Sequence, residues 1–253
     1  MSMYFLNTLA AGVLSFACAQ ATAAEPFAVV ELFTSEGCSS CPAADKLASE
    51  LVKEAEEDDK NVYVLSFHVD YWDRLGWKDP YSSEEATERQ SAYAIAWRAR
   101  SAYTPQMVIN GVSGFVGSDR DRAERDIDAA LDAKSLVAVN ATVKADGDDE
   151  LDVNVALEIE GEPLHKDWDV IAALVERDLS QKVKRGENKG RTLHHDNVVR
   201  DFEAEEVEDD HASIELDIED DVERANASVI VFVQDRRSLR ILGATRVELP
   251  QAE

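Results

Sequence analysis

Residues 27–42 read Phe27-Ala28-Val29-Val30-Glu31-Leu32-Phe33-Thr34-Ser35-Glu36-Gly37-Cys38-Ser39-Ser40-Cys41-Pro42. The first seven form a short apolar run with the pattern of a buried strand. Pro42 suits the first turn of a helix, where its missing N–H costs nothing. Beyond it, Ala44, Leu47, Ala48, Leu51 and Ala55 recur at helical spacing. A C-x-x-C pair thus stands between a strand and a helix N-terminus. The N–H groups and dipole of a helix N-terminus favour a thiolate there, which makes Cys38 the expected exposed nucleophile. Two intervening residues let Cys41 reach back as the resolving thiol.

Outward from this motif, the first half alternates strand and helix signals. Asn61 to His68 reads as a second strand. Ser82 and Glu85 form a capping-box pattern opening a helix to about Arg100, with Tyr93, Ala94 and Trp97 on one face. Thr104-Pro105 precedes a third strand, Gln106 to Asn110. A cis X-Pro turn is expected there, placing backbone beside the dithiol and offering an edge to an extended peptide. Asn110-Gly111 is a hairpin signal leading into a strand over Val112 to Gly117. Ser118 and Asp121 cap a last helix carrying Ala123, Ile127, Ala130 and Leu131.

Near Ser135 the pattern becomes strand signals almost alone, at 136–145, 151–160, 168–178, 193–202, 212–218, 228–234 and 239–248. Asp146-Gly147 is a tight turn between the first two. About seven short strands separated by turns suggest an antiparallel sandwich. No Gly/Ser/Pro-rich spacer divides the halves, so they are expected to be docked.

The chain has 253 residues, is 45% hydrophobic and carries a formal net charge of −26. That apolar fraction excludes disorder. So acidic a surface repels phosphate backbones and anionic lipid heads, which argues against nucleic-acid and electrostatic membrane binding. The N-terminus has an apolar run from Tyr4 to Ala19 followed by Ala21-Thr22-Ala23, an A-x-A cleavage pattern. No Lys or Arg precedes the run. The expected organisation is a signal peptide over 1–24, an α/β domain over 25–134 and a β-sandwich over 135–253. Export to a periplasmic or secreted location would remove Cys18 with the signal. Cys38 and Cys41 would then stand alone in a disulfide-permissive compartment.

Strand, C-S-S-C-P, helix, strand, helix, Thr104-Pro105, hairpin and terminal helix together resemble the thioredoxin fold over about residues 26–134. The longer pattern from Glu31 to Pro42, with His68-Val69-Asp70-Tyr71-Trp72 and Arg191-Thr192-Leu193, is similar to a thioredoxin-like family of secreted bacterial proteins described as of unknown function. The resemblance implies a redox-type site and a β-rich C-terminal domain, hence an α/β thioredoxin-like domain followed by an all-β antiparallel sandwich. It supplies no substrate. Gly37 replaces the usual aromatic before the first cysteine, and Ser39-Ser40 replaces Gly-Pro. Glu31 is a candidate buried proton acceptor, and Glu36 stands close enough to oppose thiolate formation.

The expected site therefore comprises Cys38, Cys41, Thr104 and Pro105, with Tyr71, Trp72 and Trp77 as candidates for a substrate groove. Those aromatics equally suit packing of the Asp70–Tyr81 insert onto the core. Lys182 to Arg191 is the one basic stretch in an acidic chain, read either as a docking loop or as a long hairpin shaped by Gly186 and Gly190. The function expected is an exported thiol–disulfide oxidoreductase acting on a protein or small thiol partner, with no cofactor beyond its own disulfide. The alternatives are a binding or assembly module with a static disulfide, and a dithiol that handles copper with His68 nearby. Zinc lacks a second cysteine pair.

Overall fold

A computed structural model describes residues 24–147, 149–159, 167–207 and 209–250. The expected signal segment, with Cys18, lies outside the described residues save for Ala24. The first half contains β1 (Ala28–Thr34), α1 (Pro42–Glu57), β2 (Val62–Val69), β3 (Ser82–Ser83), α2 (Glu84–Ala96), β4 (Gln106–Ile109), β5 (Gly114–Val116) and α3 (Arg120–Leu131). A 3-10 turn over Asp70–Leu75 follows β2. The helix caps sit one residue from the expected positions: Ser83 accepts from Ala86 N and Asp119 from Arg122 N. The Thr104–Pro105 bond is cis.

The second half contains β6 (Val137–Asp146), β7 (Glu150–Ile159), β8 (Trp168–Glu176), β9 (Leu179–Lys182), β10 (Thr192–His195), β11 (Val198–Glu206), β12 (His211–Asp217), β13 (Ala227–Asp235) and β14 (Ile241–Glu248). The strand expected at 193–202 is two strands. Asn197, at φ 49°, breaks it and turns the chain.

The expected fold class, a thioredoxin-like α/β domain followed by a separate sandwich, is not what these strands build. The protein is mostly β, and one mixed sheet of nine strands takes strands from both halves in the order β14-β13-β8-β11-β2-β1-β4-β5, with β3 on β2. The reason lies in β8 and β13, Trp-Asp-Val-Ile-Ala-Ala-Leu-Val-Glu and Ala-Ser-Val-Ile-Val-Phe-Val-Gln-Asp, which are apolar almost without alternation. Such strands need cover on both faces. On one face Val170, Ala172, Leu174, Val229 and Val231 pack under the three-stranded sheet β12-β7-β6. On the other, Ile171, Ala173, Val175, Ile230 and Phe232 share a core with Phe33, Leu65, Phe67 and Tyr93 of the first half. A further core lies between α1, α3 and the strands β1, β2 and β4, with Leu47, Leu51, Met107 and Ile127.

The two halves approach backbone to backbone at the β4–β5 turn. Ile241 N donates to Asn110 O at 3.1 Å. Gly111 there has φ +66°, and a Cβ on it would stand 1.7 Å from Leu239 O. Gly190 has φ +87° with nothing within 4 Å of such a Cβ. Gly111→Ala should therefore cost about 3 kcal/mol or more, combining strain and collision. Gly190→Ala should cost about 1 kcal/mol, the backbone strain alone. Chemical denaturation of the two variants checks the difference; equal losses would contradict the close approach.

Candidate functional site

The segment Thr34 to Cys41 carries the chain from the buried end of β1 to the start of α1. Cys38 and Cys41 are joined in a disulfide with Cα atoms 5.4 Å apart. Cys41 immediately precedes α1, and its carbonyl accepts from Ala44 N at 2.8 Å and Asp45 N at 3.0 Å. Both cysteines are fully enclosed, at 0% exposure. Cys38 is thus not the exposed residue expected from its place before a helix. The basic stretch packs against it. Asn188, itself buried, donates from Nδ2 to Glu36 O at 2.8 Å and to Cys38 O at 2.9 Å. Ser39 N donates to Glu187 Oε2 at 3.1 Å. The loop is pinched at its base by Val183 N to Arg191 O and Gly190 N to Val183 O.

Around the disulfide segment lies a buried group of ionisable side chains: Glu36, Asp45, His68, Asp79 and His195. Glu36 precedes the cysteines by two residues, and Asp45 sits in the first turn of α1. Glu36 N donates to Asp79 Oδ2 at 2.7 Å, and the same oxygen lies 2.7 Å from His68 Nδ1. Trp77 Nε1 donates to Glu36 Oε2 at 2.7 Å. Thr34 Oγ1 donates to Asp45 Oδ1 at 2.5 Å. His195 stands between the acids, with Nε2 at 3.4 Å from Glu36 Oε1 and Nδ1 at 3.9 Å from Asp45 Oδ2. Its ring meets that of His68 edge to face, centroids 4.8 Å apart. Glu36 Oε1, Asp45 Oδ2, His68 Nε2 and His195 Nε2 are all buried with no hydrogen-bond partner.

These environments shift protonation. Burial pushes the Asp45 carboxyl above its usual range, and the nearby His195 and His68 offset this only in part. At His68 burial is the largest influence and acts downward, but the Asp79 carboxylate outweighs it and holds the imidazole above its ordinary value. At Asp79 burial acts upward and is overcome by the charge and hydrogen bond of His68, leaving that carboxyl low. The pair is therefore an ion pair, whereas Asp45 keeps its proton more readily than a free aspartate.

The other expected residues divide. Trp72 lies against the motif: a Cβ on Gly37 would stand 3.1 Å from Trp72 Cβ, and Trp72 Nε1 donates to Thr104 Oγ1 at 2.8 Å. Trp72 thus ties the Thr104-Pro105 turn to the disulfide segment. Trp77 lies between Glu36 and Gly186. Tyr71 lies beside the Thr104 turn, its hydroxyl donating to Gln90 Oε1 at 3.2 Å and within reach of the Thr104 side chain. Glu31 is buried but committed elsewhere, to Arg89 Nε at 2.5 Å and the Tyr93 hydroxyl, so it is not a free proton acceptor. Asp45, Asp79 and His195 escaped the sequence reading. An acid on the buried face of an amphipathic helix was a usable signal for Asp45. For His195 the signal was alternation in Thr192-Leu193-His194-His195, which turns one of two adjacent histidines inward. Among the described residues no three His, Cys, Asp or Glu side chains converge closely enough to hold a metal ion, and no helix is long and apolar enough to cross a membrane.

The chain belongs to the family described as "Protein of unknown function (DUF1223)", whose model matches residues 29–234. It is similar to the solved structure of protein AGR_C_4864 from Agrobacterium tumefaciens, at 27% identity over 92% of this chain and 98% of that one, with a TM-score of 0.68. It also shares its fold with HBP35 of Porphyromonas gingivalis, at 16% identity over 90% of this chain and 77% of that one, with a TM-score of 0.65. No curated protein matches the chain.

A raised Asp45 has a defined consequence for stability. A carboxyl whose folded pKa exceeds its unfolded value favours the folded state below the unfolded pKa. It progressively disfavours that state as pH rises through the folded value. Asp45→Asn keeps an acceptor for Thr34 and removes the titration. The variant should melt several degrees higher than the parent at pH 7.5, with the gain shrinking toward pH 3.5. Paired thermal melts across that range test this; a gain independent of pH would contradict it.

Proposed function

We propose that this protein is a thiol–disulfide oxidoreductase, with Cys38 and Cys41 as its reacting pair and the Glu36–His195–Asp45 group as its proton store. The observation that carries the reading is the buried ionisable group around the disulfide segment, in which four polar atoms make no hydrogen bond and Glu36 Oε1 and His195 Nε2 face each other at 3.4 Å. Each such atom costs about 1–3 kcal/mol. A disulfide serving only as a staple needs none of them, whereas a disulfide that opens needs a place for protons. The C-x-x-C spacing before a helix, as in thioredoxin-like redox proteins, supports the same chemistry. In that reading an incoming thiolate attacks Cys38 Sγ and the Cys38–Cys41 bond breaks. Cys41 leaves as a thiolate and takes the proton that the incoming thiol released to the buried group. A second thiol resolves the mixed disulfide, so that one disulfide and two thiols become one dithiol and one new disulfide. The disulfide is the whole redox equipment of the reading. An exported location fits it, since the pair would there be oxidised at rest.

The complete enclosure of both cysteines favours a second reading, in which the disulfide is static. Equilibration against a dithiothreitol potential series separates the two. Two thiols should appear together in one reversible transition while the fold persists; reduction only upon unfolding would establish the static reading. Cys41→Ser should accumulate a mixed disulfide at Cys38 when a small disulfide such as 2-hydroxyethyl disulfide is added, with one equivalent of thiol released. His195→Gln should slow exchange roughly tenfold or more while the fold persists.

A further inference from the structure

We propose that the thiol exchanged at this site carries carboxylates beside its sulfur, recruited by the cations of loop 182–191. This rests on the redox reading above. The chain bears a net charge of −26, so its overall field repels anions. Lys182, Lys184, Arg185, Lys189 and Arg191 are nonetheless gathered on the one loop that packs against the disulfide segment, and all five are exposed. Among the described residues, none of the five makes an ion pair. Arg191 donates to Asn188 Oδ1 at 3.0 Å, which places its guanidinium beside the residue that bonds Cys38 O. Lys189 is the next residue along the chain.

The loop's only acid does not neutralise them. Glu187 is exposed and accepts from Ser39 N, so it offsets one of the five cations and leaves the loop net positive. The exposed residues of the motif, Ser39 and Ser40, are neutral. Glu36, Asp45 and Asp79 are enclosed and face His68 and His195 rather than solvent. The rim of the site is therefore positive in a molecule that is elsewhere strongly negative. At physiological salt such a field reaches about 8 Å, so it selects groups close to the reacting sulfur rather than distant parts of a partner. A carboxylate within one or two residues of a substrate cysteine, or on the same small molecule as the thiol, lies within that range.

The exchange is the one written above. The arriving thiol loses its proton, bonds to Cys38 Sγ and displaces Cys41 Sγ, which takes up a proton. A second copy of the thiol completes the reduction and leaves as a disulfide. The thiol is itself the reductant.

The test compares reduction rates of the folded protein by mercaptosuccinate, 2-mercaptoethanol and cysteamine, each normalised to its thiolate concentration. Synthetic cysteine peptides flanked by aspartates or by lysines form a parallel arm. At low salt the carboxylate-bearing thiols should react roughly tenfold or more faster than the cationic ones, and 0.5 M salt should compress the ratio. Lys184→Glu combined with Arg185→Glu should abolish or reverse the order; these exposed side chains hold no contact on which the fold depends. Preference in both arms points to a small carboxylate thiol, and preference in the peptide arm alone points to an acidic protein segment. Either supports the inference. Equal rates, or faster cysteamine, would overturn it while leaving the redox reading standing. Failure of every thiol to react with the folded protein would overturn both.

Discussion

The junction at Ser66 determines both the sheet and the site. Ser66 N donates to Asn197 O at 2.8 Å, Ser66 Oγ to Asp196 O at 3.0 Å, and Asn197 Nδ2 to Val64 O at 3.0 Å. Val198 then pairs with Ser66 in the parallel ladder. These bonds join β11 to the edge of β2 and make one sheet of what would otherwise be two. They also fix the position of His195, two residues before Asn197, against His68, two residues after Ser66. The ring contact between the histidines follows from the strand register. An aliphatic residue at Asn197 would lose both the side-chain bond to Val64 O and the ease with which Asn adopts positive φ. The disulfide segment would then lose its histidine.

Local structure was legible in the sequence because it depends on near neighbours. The strand before Cys38, the helix after Pro42, the Asn110-Gly111 turn and most strands of the second half follow from spacing and turn chemistry alone. The pairing of β2 with β11 does not, since it joins positions more than 130 residues apart through one parallel contact. The unalternating composition of β8 and β13 was the available warning against a separate sandwich. It says that both faces need cover without saying which elements provide it. The site was half legible for the same reason. Cys38 and Cys41 announce themselves by spacing, whereas Asp79 and His195 come from loops and strands whose meeting is tertiary.

The buried ionisable group sits apart from the other buried charges of the molecule. Glu31, Arg89, Tyr93 and Gln234 form a network in which each polar end is matched across the two halves. Such a network defines register and contributes to a unique packing. Glu36, Asp45, His68 and His195 are placed as deeply but leave four atoms without a hydrogen bond. Two polar groups at equal depth, one satisfied and one not, indicate that burial alone does not explain the second. The exchange proposed for the disulfide would give it a use.

If the disulfide exchanges as proposed, its enclosure would set the rate rather than forbid the step. Three hydrogen bonds tie the loop to the disulfide segment: two from Asn188 and one to Glu187. At a net value of about 1 kcal/mol each, opening costs on the order of 3 kcal/mol, which leaves about one molecule in a hundred open. The bond between Val183 and Arg191 at the loop's base can survive that opening, so the β9–β10 pairing, and with it His195, stays in place. The proposed exchange would then proceed through a minor open state at a rate reduced by that fraction. A partner that binds the loop's cations and draws Asn188 away would recover it. On that proposal the same contacts would shield the disulfide from thiols that cannot engage the loop, so enclosure and selectivity would arise from one set of bonds.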